Sequence, residues 1–164
     1  MKMKNKNQAM KKMHKICFIA SSGGHLEEIK QLNKLAQRYP SMLITEKQPY
    51  EVSFFGREVH YIGQMNRRQI KGWLELIGLI PMACRALKKN RITHIVTTGA
   101  MCAYPYCLAA KLLGIKIIYI ESFARVHSAS LTGKLVYPIA DLFIVQWKEL
   151  LKVYPKAVYG GEIF

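Results

Sequence analysis

The sequence predicts an α/β fold: a Rossmann-like parallel sheet with helices on both faces. Short β-rich runs alternate with helical patterns along nearly the whole chain. Those runs are continuously apolar rather than alternating, as strands covered on both faces are. The length of 164 residues with 51% hydrophobic content suits one core and one domain.

The elements follow in order. Residues 16–20 (ICFIA) form a buried strand, and Ser21-Ser22-Gly23-Gly24-His25 a turn. Leu26, Ile29, Leu32 and Leu35/Ala36 then recur at helical spacing until Pro40. Residues 42–45 are a second strand and 59–62 a weaker third. A long helix over about 69–89 is kinked or broken at Pro81. Residues 92–97 give a fourth strand, 101–113 a helix closed by Gly114, and 115–120 a clear fifth strand. Residues 142–145 are a further strand, followed by a short helix over 146–153 and an extended stretch at 157–159.

Charge is concentrated. The chain has 25 Lys plus Arg against 10 Asp plus Glu, a formal +15. Lys2, Lys4, Lys6, Lys11, Lys12 and Lys15 give the first fifteen residues +6, and residues 67–91 carry another +6 through Arg67, Arg68, Lys71, Arg85, Lys88, Lys89 and Arg91 against Glu75. The second segment brackets an apolar stretch, 73–84, with Trp73, Leu76, Ile77 and Ile80. At 12 residues it is too short to span a bilayer. It reads as an interfacial helix on anionic lipid, as a core helix, or as both, with one face packed and one wet. Nucleic acid is disfavoured because the patch is interleaved with aliphatic rather than base-stacking residues. Residues 1–14 read as a basic leader and 15–164 as the folded domain. The run after the leader is too short for a secretory signal.

Asp141 is the sole aspartate, so no Asp-x-Asp metal site exists and no metal is expected. Cys17, Cys84, Cys102 and Cys107 lack metal-site spacing and read as reduced core residues of a cytosolic protein.

In a doubly wound sheet, ligands bind beyond the carboxyl ends of the strands. The residues there are Ser22, Gly23, Gly24 and His25 after the first strand, Thr98 and Gly99 after the fourth, and Glu121, Ser122 and Arg125 after the fifth. The glycine loop can wrap an anionic group. His25 either accepts a proton from a substrate hydroxyl or bonds a neighbouring carbonyl. Glu121 either pairs with Arg125 or meets sugar hydroxyls and assists proton transfer. Thr132 and Gly133, after Ser128 and Ser130, add donors at a helix start or serve as its cap.

Three segments, SSGGHLEE (21–28), VTTGA (96–100) and IESFARVHSASLTGKLVYPIADLFIVQW (120–147), with the closing Tyr159-Gly160-Gly161, resemble the oligosaccharide biosynthesis proteins of the ALG-fourteen type. Bacterial capsule and exopolysaccharide subunits, PssD-like and CpsF-like, share the pattern, and a more distant similarity runs to the amino-terminal half of MurG. The resemblance implies the amino-terminal, acceptor-side half of a split GT-B glycosyltransferase. A soluble ALG-thirteen-like or PssE-like subunit would bind most of the UDP-sugar, with no cofactor. The acceptor would be a polyprenyl-diphosphate-linked saccharide, and the subunit would lie peripherally on the cytoplasmic face of a bacterial membrane. His25 and Glu121 then become candidate catalytic groups. The rival reading is a non-catalytic membrane scaffold that activates the partner.

Overall fold

The computed structural model describes residues 14–64 and 78–163. The basic leader up to residue 13, and the expected membrane residues Arg67, Arg68, Lys71, Trp73, Leu76 and Ile77, lie outside the described residues.

The chain runs β1 (Ile16–Ala20), α1 (Gly24–Lys30), α2 (Asn33–Arg38), β2 (Ser41–Glu46), β3 (Glu58–Ile62), α3 (Ile80–Lys89), β4 (His94–Thr97), α4 (Tyr104–Leu112), β5 (Lys116–Ile120), α5 (Leu131–Val136), β6 (Leu142–Val145) and β7 (Val158–Tyr159). Among the described residues the strands form one seven-stranded sheet in the order β3-β2-β1-β4-β5-β6-β7, and every pairing is parallel. The order reverses between β1 and β4, so the crevice lies beside the loop after β1.

Strand periodicity sorts the core into two layers. Cys17 and Ile19 of β1, Met42 and Ile44 of β2, and Ile117 and Tyr119 of β5 pack with α3, α4 and α5. Ile16, Phe18, Ala20, Leu43 and Ile120 pack with α1, α2, Val52 and Phe54 on the other face. The parallel sheet covered on both sides is therefore as expected. All four cysteines are free, and Cys17, Cys102 and Cys107 are buried.

Several boundaries differ. The helix expected to run to Pro40 is two short helices, because the chain turns at Gln31 and Leu32 after α1 closes on Glu28 and Ile29 carbonyls. Of the helix expected over about 69–89, residues 69–77 lie outside the described residues. Gly78 is helical, Leu79 is a turn and α3 begins at Ile80, so the helix is broken just before Pro81, which sits in the first turn of α3, where a missing N–H costs nothing. The helix after β4 opens with a 3₁₀ turn at Met101–Ala103, and the one expected at 146–153 is a 3₁₀ turn, Lys148–Lys152. Ser130 caps α5 by accepting a hydrogen bond from Gly133 N at 2.8 Å.

α3 has one packed and one wet face. Ala83 and Leu87 are buried against the core, while Met82, Arg85, Lys88 and Lys89 are exposed. Ile80, expected at the membrane, is instead half-buried and packs against the core. Among the described residues no helix is long and apolar enough to cross a membrane.

Candidate active site

A cavity of about 200 Å³ opens at the carboxyl ends of β1, β4 and β5. His25, Ala100, Met101, Ser122, Ala124, Arg125, Ser130, Leu131 and Thr132 line it. One wall comes from α1, one from the loop after β4, and the third from the segment joining β5 to α5.

The first wall is built by a sharp turn. Gly23 has φ +80°, and its carbonyl accepts from Leu26 N and Glu27 N, starting α1 with His25 in the first turn. Gly23 and Gly24 are exposed beside the cavity rather than lining it. Ser22 is held away by Glu46, to whose Oε2 it donates from both N (3.4 Å) and Oγ (3.3 Å).

The second wall fixes the imidazole. Thr98 is buried and donates from Oγ1 to the His25 carbonyl at 3.0 Å. Gly99 has φ +115°, and a Cβ there would stand 3.0 Å from Tyr119 Oη and 3.2 Å from His25 Cε1. Only glycine satisfies both the conformation and the approach of the ring. Ala100 follows at φ +70°, a strained conformation for a residue with a Cβ.

The third wall hangs on Glu121. Alternation carries its carboxylate toward α5, away from α1. It is fully buried; Oε1 accepts from Ser122 N at 3.0 Å, and Oε2 from Tyr154 Oη at 2.7 Å and Ser130 N at 3.2 Å. Burial, and then the bond to this carboxylate, push the Tyr154 phenol far up. A Cβ on Gly133 would collide with Glu121 Oε2, Tyr154 Oη and Ser130 Oγ, so glycine is required there by space.

The sequence expectation for Glu121 is thereby corrected. It neither lines the cavity nor forms an ion pair with Arg125; it stands behind the wall and holds it. Of the expected binding residues, Ser122, Arg125 and Thr132 line the cavity together with His25. Thr98, Gly99 and Gly133 shape it from behind, and Ser22 faces Glu46. Arg125 is exposed at the mouth, a cation with no fixed carboxylate partner to neutralise it among the described residues.

Glu28 is the residue the sequence reading missed. It is 4% exposed; its Oε1 accepts from Ser122 Oγ at 2.8 Å and Phe123 N at 2.9 Å, and its Oε2 lies 3.9 Å from His25 Nδ1. Burial raises its pKa from the ordinary carboxylate value, the Ser122, Phe123 and Thr98 donors oppose that rise, and the Glu121 charge adds to it. The His-x-x-Glu spacing, which puts both side chains on one helix face, was the available signal.

No group of three or more His, Cys, Asp or Glu poised for a metal occurs among the described residues.

A family model described as "Oligosaccharide biosynthesis protein Alg14 like" matches residues 65–163, more than half of the chain. The chain belongs to this family. The rat protein named "UDP-N-acetylglucosamine transferase subunit ALG14" is 43% identical over 90% of this chain and 82% of its own length. The mouse protein of the same name is 29% identical over 91% and 82%. Among solved structures, MurG of Acinetobacter baumannii superposes with a TM-score of 0.62 at 19% identity, over 80% of this chain and 40% of the MurG chain. The last likeness establishes the fold alone, and the chain spans less than half the length of MurG.

Proposed function

We propose that this chain, through residues 15–164, is the acceptor-side subunit of a two-part inverting glycosyltransferase. The complex transfers a sugar from a UDP-sugar to a hydroxyl of a polyprenyl-diphosphate-linked saccharide. The observation that carries the reading is the cavity itself: a histidine in the first turn of α1 faces hydroxyls of Ser122, Ser130 and Thr132 and the cation of Arg125. The relatives' name, a UDP-N-acetylglucosamine transferase subunit, supports both the donor class and the need for a second chain.

In this reading Arg125 and the hydroxyls bind the acceptor diphosphate and sugar. His25 takes the proton from the acceptor hydroxyl as its oxygen attacks the anomeric carbon, and UDP departs with the electron pair of the broken C–O bond. Glu121 stays behind the wall and positions Ser130. The donor is held mainly by the partner, a soluble subunit resembling the carboxyl-terminal half of a GT-B enzyme. Met82, Arg85, Lys88 and Lys89 on the exposed face of α3 support peripheral contact with anionic lipid. The narrower setting, capsule or exopolysaccharide synthesis on the cytoplasmic face of a bacterial membrane, belongs to the same proposal; deleting the gene should remove the surface polysaccharide.

The deciding experiment is reconstitution with the partner, UDP-N-acetylglucosamine and a polyprenyl-diphosphate-linked acceptor. Transfer that falls at least ~100-fold in His25→Ala with the complex intact supports a catalytic subunit. Wild-type turnover by that variant would make the chain a scaffold for a partner that carries all the chemistry.

A further inference from the structure

Glu28 is a carboxylate buried in α1 with an unusual division of labour between its oxygens. Oε1 is saturated by Ser122 Oγ and Phe123 N, two donors from the far side of the cavity, more than ninety residues away in sequence. Oε2 is buried and makes no hydrogen bond. Leaving such an atom without a partner is costly, more so for a charged group. The nearest cation-forming group is His25 Nδ1 at 3.9 Å, itself buried. The His25 side chain nevertheless keeps 23% exposure. Nδ1 is enclosed on the Glu28 side and Cε1 packs over Gly99, so Nε2 lies on the ring edge turned away from Glu28.

We propose that Glu28 is the positioning residue that holds His25 as its Nδ1–H tautomer, so that Nε2 presents a lone pair to the acceptor hydroxyl. A separation of 3.9 Å is longer than a formed hydrogen bond, and such pairs tighten when substrate fills the site. The anchoring of Oε1 gives direction: held by two donors, the carboxylate has one remaining oxygen, and it faces the imidazole. The imidazolium formed on proton transfer would be stabilised by the same carboxylate. Groups facing this pair are Thr98 and Tyr119 from the strand ends, Glu121 behind Ser122, and Arg125 across the cavity. Of these, the Arg125 charge opposes protonation of His25 and the Glu121 charge favours it.

The catalytic consequence rests on the acceptor-side reading above; the tautomer does not, and the test separates them. Glu28→Gln keeps an oxygen for Ser122 and Phe123 but turns an NH₂ toward Nδ1. An amide donor there obliges Nδ1 to accept, which moves the ring proton to Nε2 and removes the lone pair from the cavity. Ring-labelled ¹⁵N spectra of the full-length chain, with His25 assigned by comparison with His25→Ala, read this directly. The wild type should show the Nδ1–H form at neutral pH, and Glu28→Gln the Nε2–H form with a His25 titration midpoint lower by about one unit or more. If Glu28→Gln fails to fold, Glu28→Asp withdraws the carboxylate by one methylene and should give a mixture of tautomers. An Nε2–H wild type, or a folded variant with unchanged tautomer and midpoint, overturns the proposal. In the reconstituted transferase, Glu28→Gln should lose kcat by at least ~100-fold with the acceptor KM held within about threefold. Inverted tautomer with unchanged turnover would overturn the catalytic half. An inactive wild-type complex would count against the transferase reading while the spectra still decide the tautomer.

Discussion

Gly133→Ala should be the most destabilising methyl addition in the site. The new Cβ would meet Glu121 Oε2, stand 2.5 Å from Tyr154 Oη and 2.8 Å from Ser130 Oγ. These are side-chain ends, but they cannot swing away: Glu121 is fully buried, Tyr154 is 2% exposed, and each holds the other at 2.7 Å. Overpacking costs about 1–3 kcal/mol. Displacing the carboxylate from Tyr154 and Ser130 N weakens charge-assisted bonds worth about 1.5–3 kcal/mol. Replacing a helical glycine by alanine returns about 1 kcal/mol. The net is a loss of about 3 kcal/mol, or roughly 6–12 °C in Tm for a domain of this size. Urea unfolding of the full-length chain, with an unchanged m-value, is the assay. Gly24→Ala is the control, because nothing lies within 4 Å of its added Cβ, and it should stay within about 0.5 kcal/mol of wild type. Tyr154→Phe removes one of the colliding atoms, so Gly133→Ala in that background should cost less than the two single changes summed. A Gly133→Ala chain within 1 kcal/mol of wild type, or strict additivity with Tyr154→Phe, would refute the reasoning.

Arg125→Ala should leave stability within about 0.5 kcal/mol, since the side chain is exposed, yet raise the acceptor KM and lessen its dependence on salt, as measured by initial rates at several ionic strengths. Burial, helped by His14 and Lys116, lowers the pKa of His94 below 6.5. The unfolded chain therefore binds the extra proton first, and stability should fall as pH drops below about 6.5; in His94→Gln this part of the decline, seen in urea midpoints against pH, should vanish. Neutralising Arg85, Lys88 and Lys89 should abolish salt-sensitive flotation with anionic vesicles, and flotation that persists unchanged would remove α3 from the membrane contact.

The central strands were legible because parallel strands covered on both faces form nearly continuous apolar runs, and ICFIA or the IIYI of β5 says so locally. The break between α1 and α2 was not, because Leu32 continues the helical period even though the backbone turns there. His25 could be found because the strand-end rule singles out the turn after β1. Glu28 escaped because in LEEI it looks like one of two solvent-facing acids. Its burial is created by Ser122 and Phe123, and locally only its three-residue spacing from His25 distinguishes it from the exposed Glu27. Glu121 was found but given the wrong side: its strand-end position said that it mattered, and only the phase of the alternation said which way it points.

That phase explains how one short segment sets the width of the cavity. Glu121 and Ser122 are consecutive, so the pleat sends the carboxylate toward α5 and the hydroxyl toward α1. The first grips Ser130 N and Tyr154, fixing the wall that carries Ser130 and Thr132; the second grips Glu28, fixing the helix that carries His25. Gln146 then ties the Glu121 carbonyl to the end of β6, and Trp147 Nε1 ties Phe123 O. The two walls are thus referred to the same point of the sheet. In the proposed transfer, a histidine that reaches a hydroxyl bound on the opposite wall needs that separation held to a fraction of an ångström. Two neighbouring residues at the end of a central strand provide it, and in the proposed reaction the space between the walls takes the acceptor.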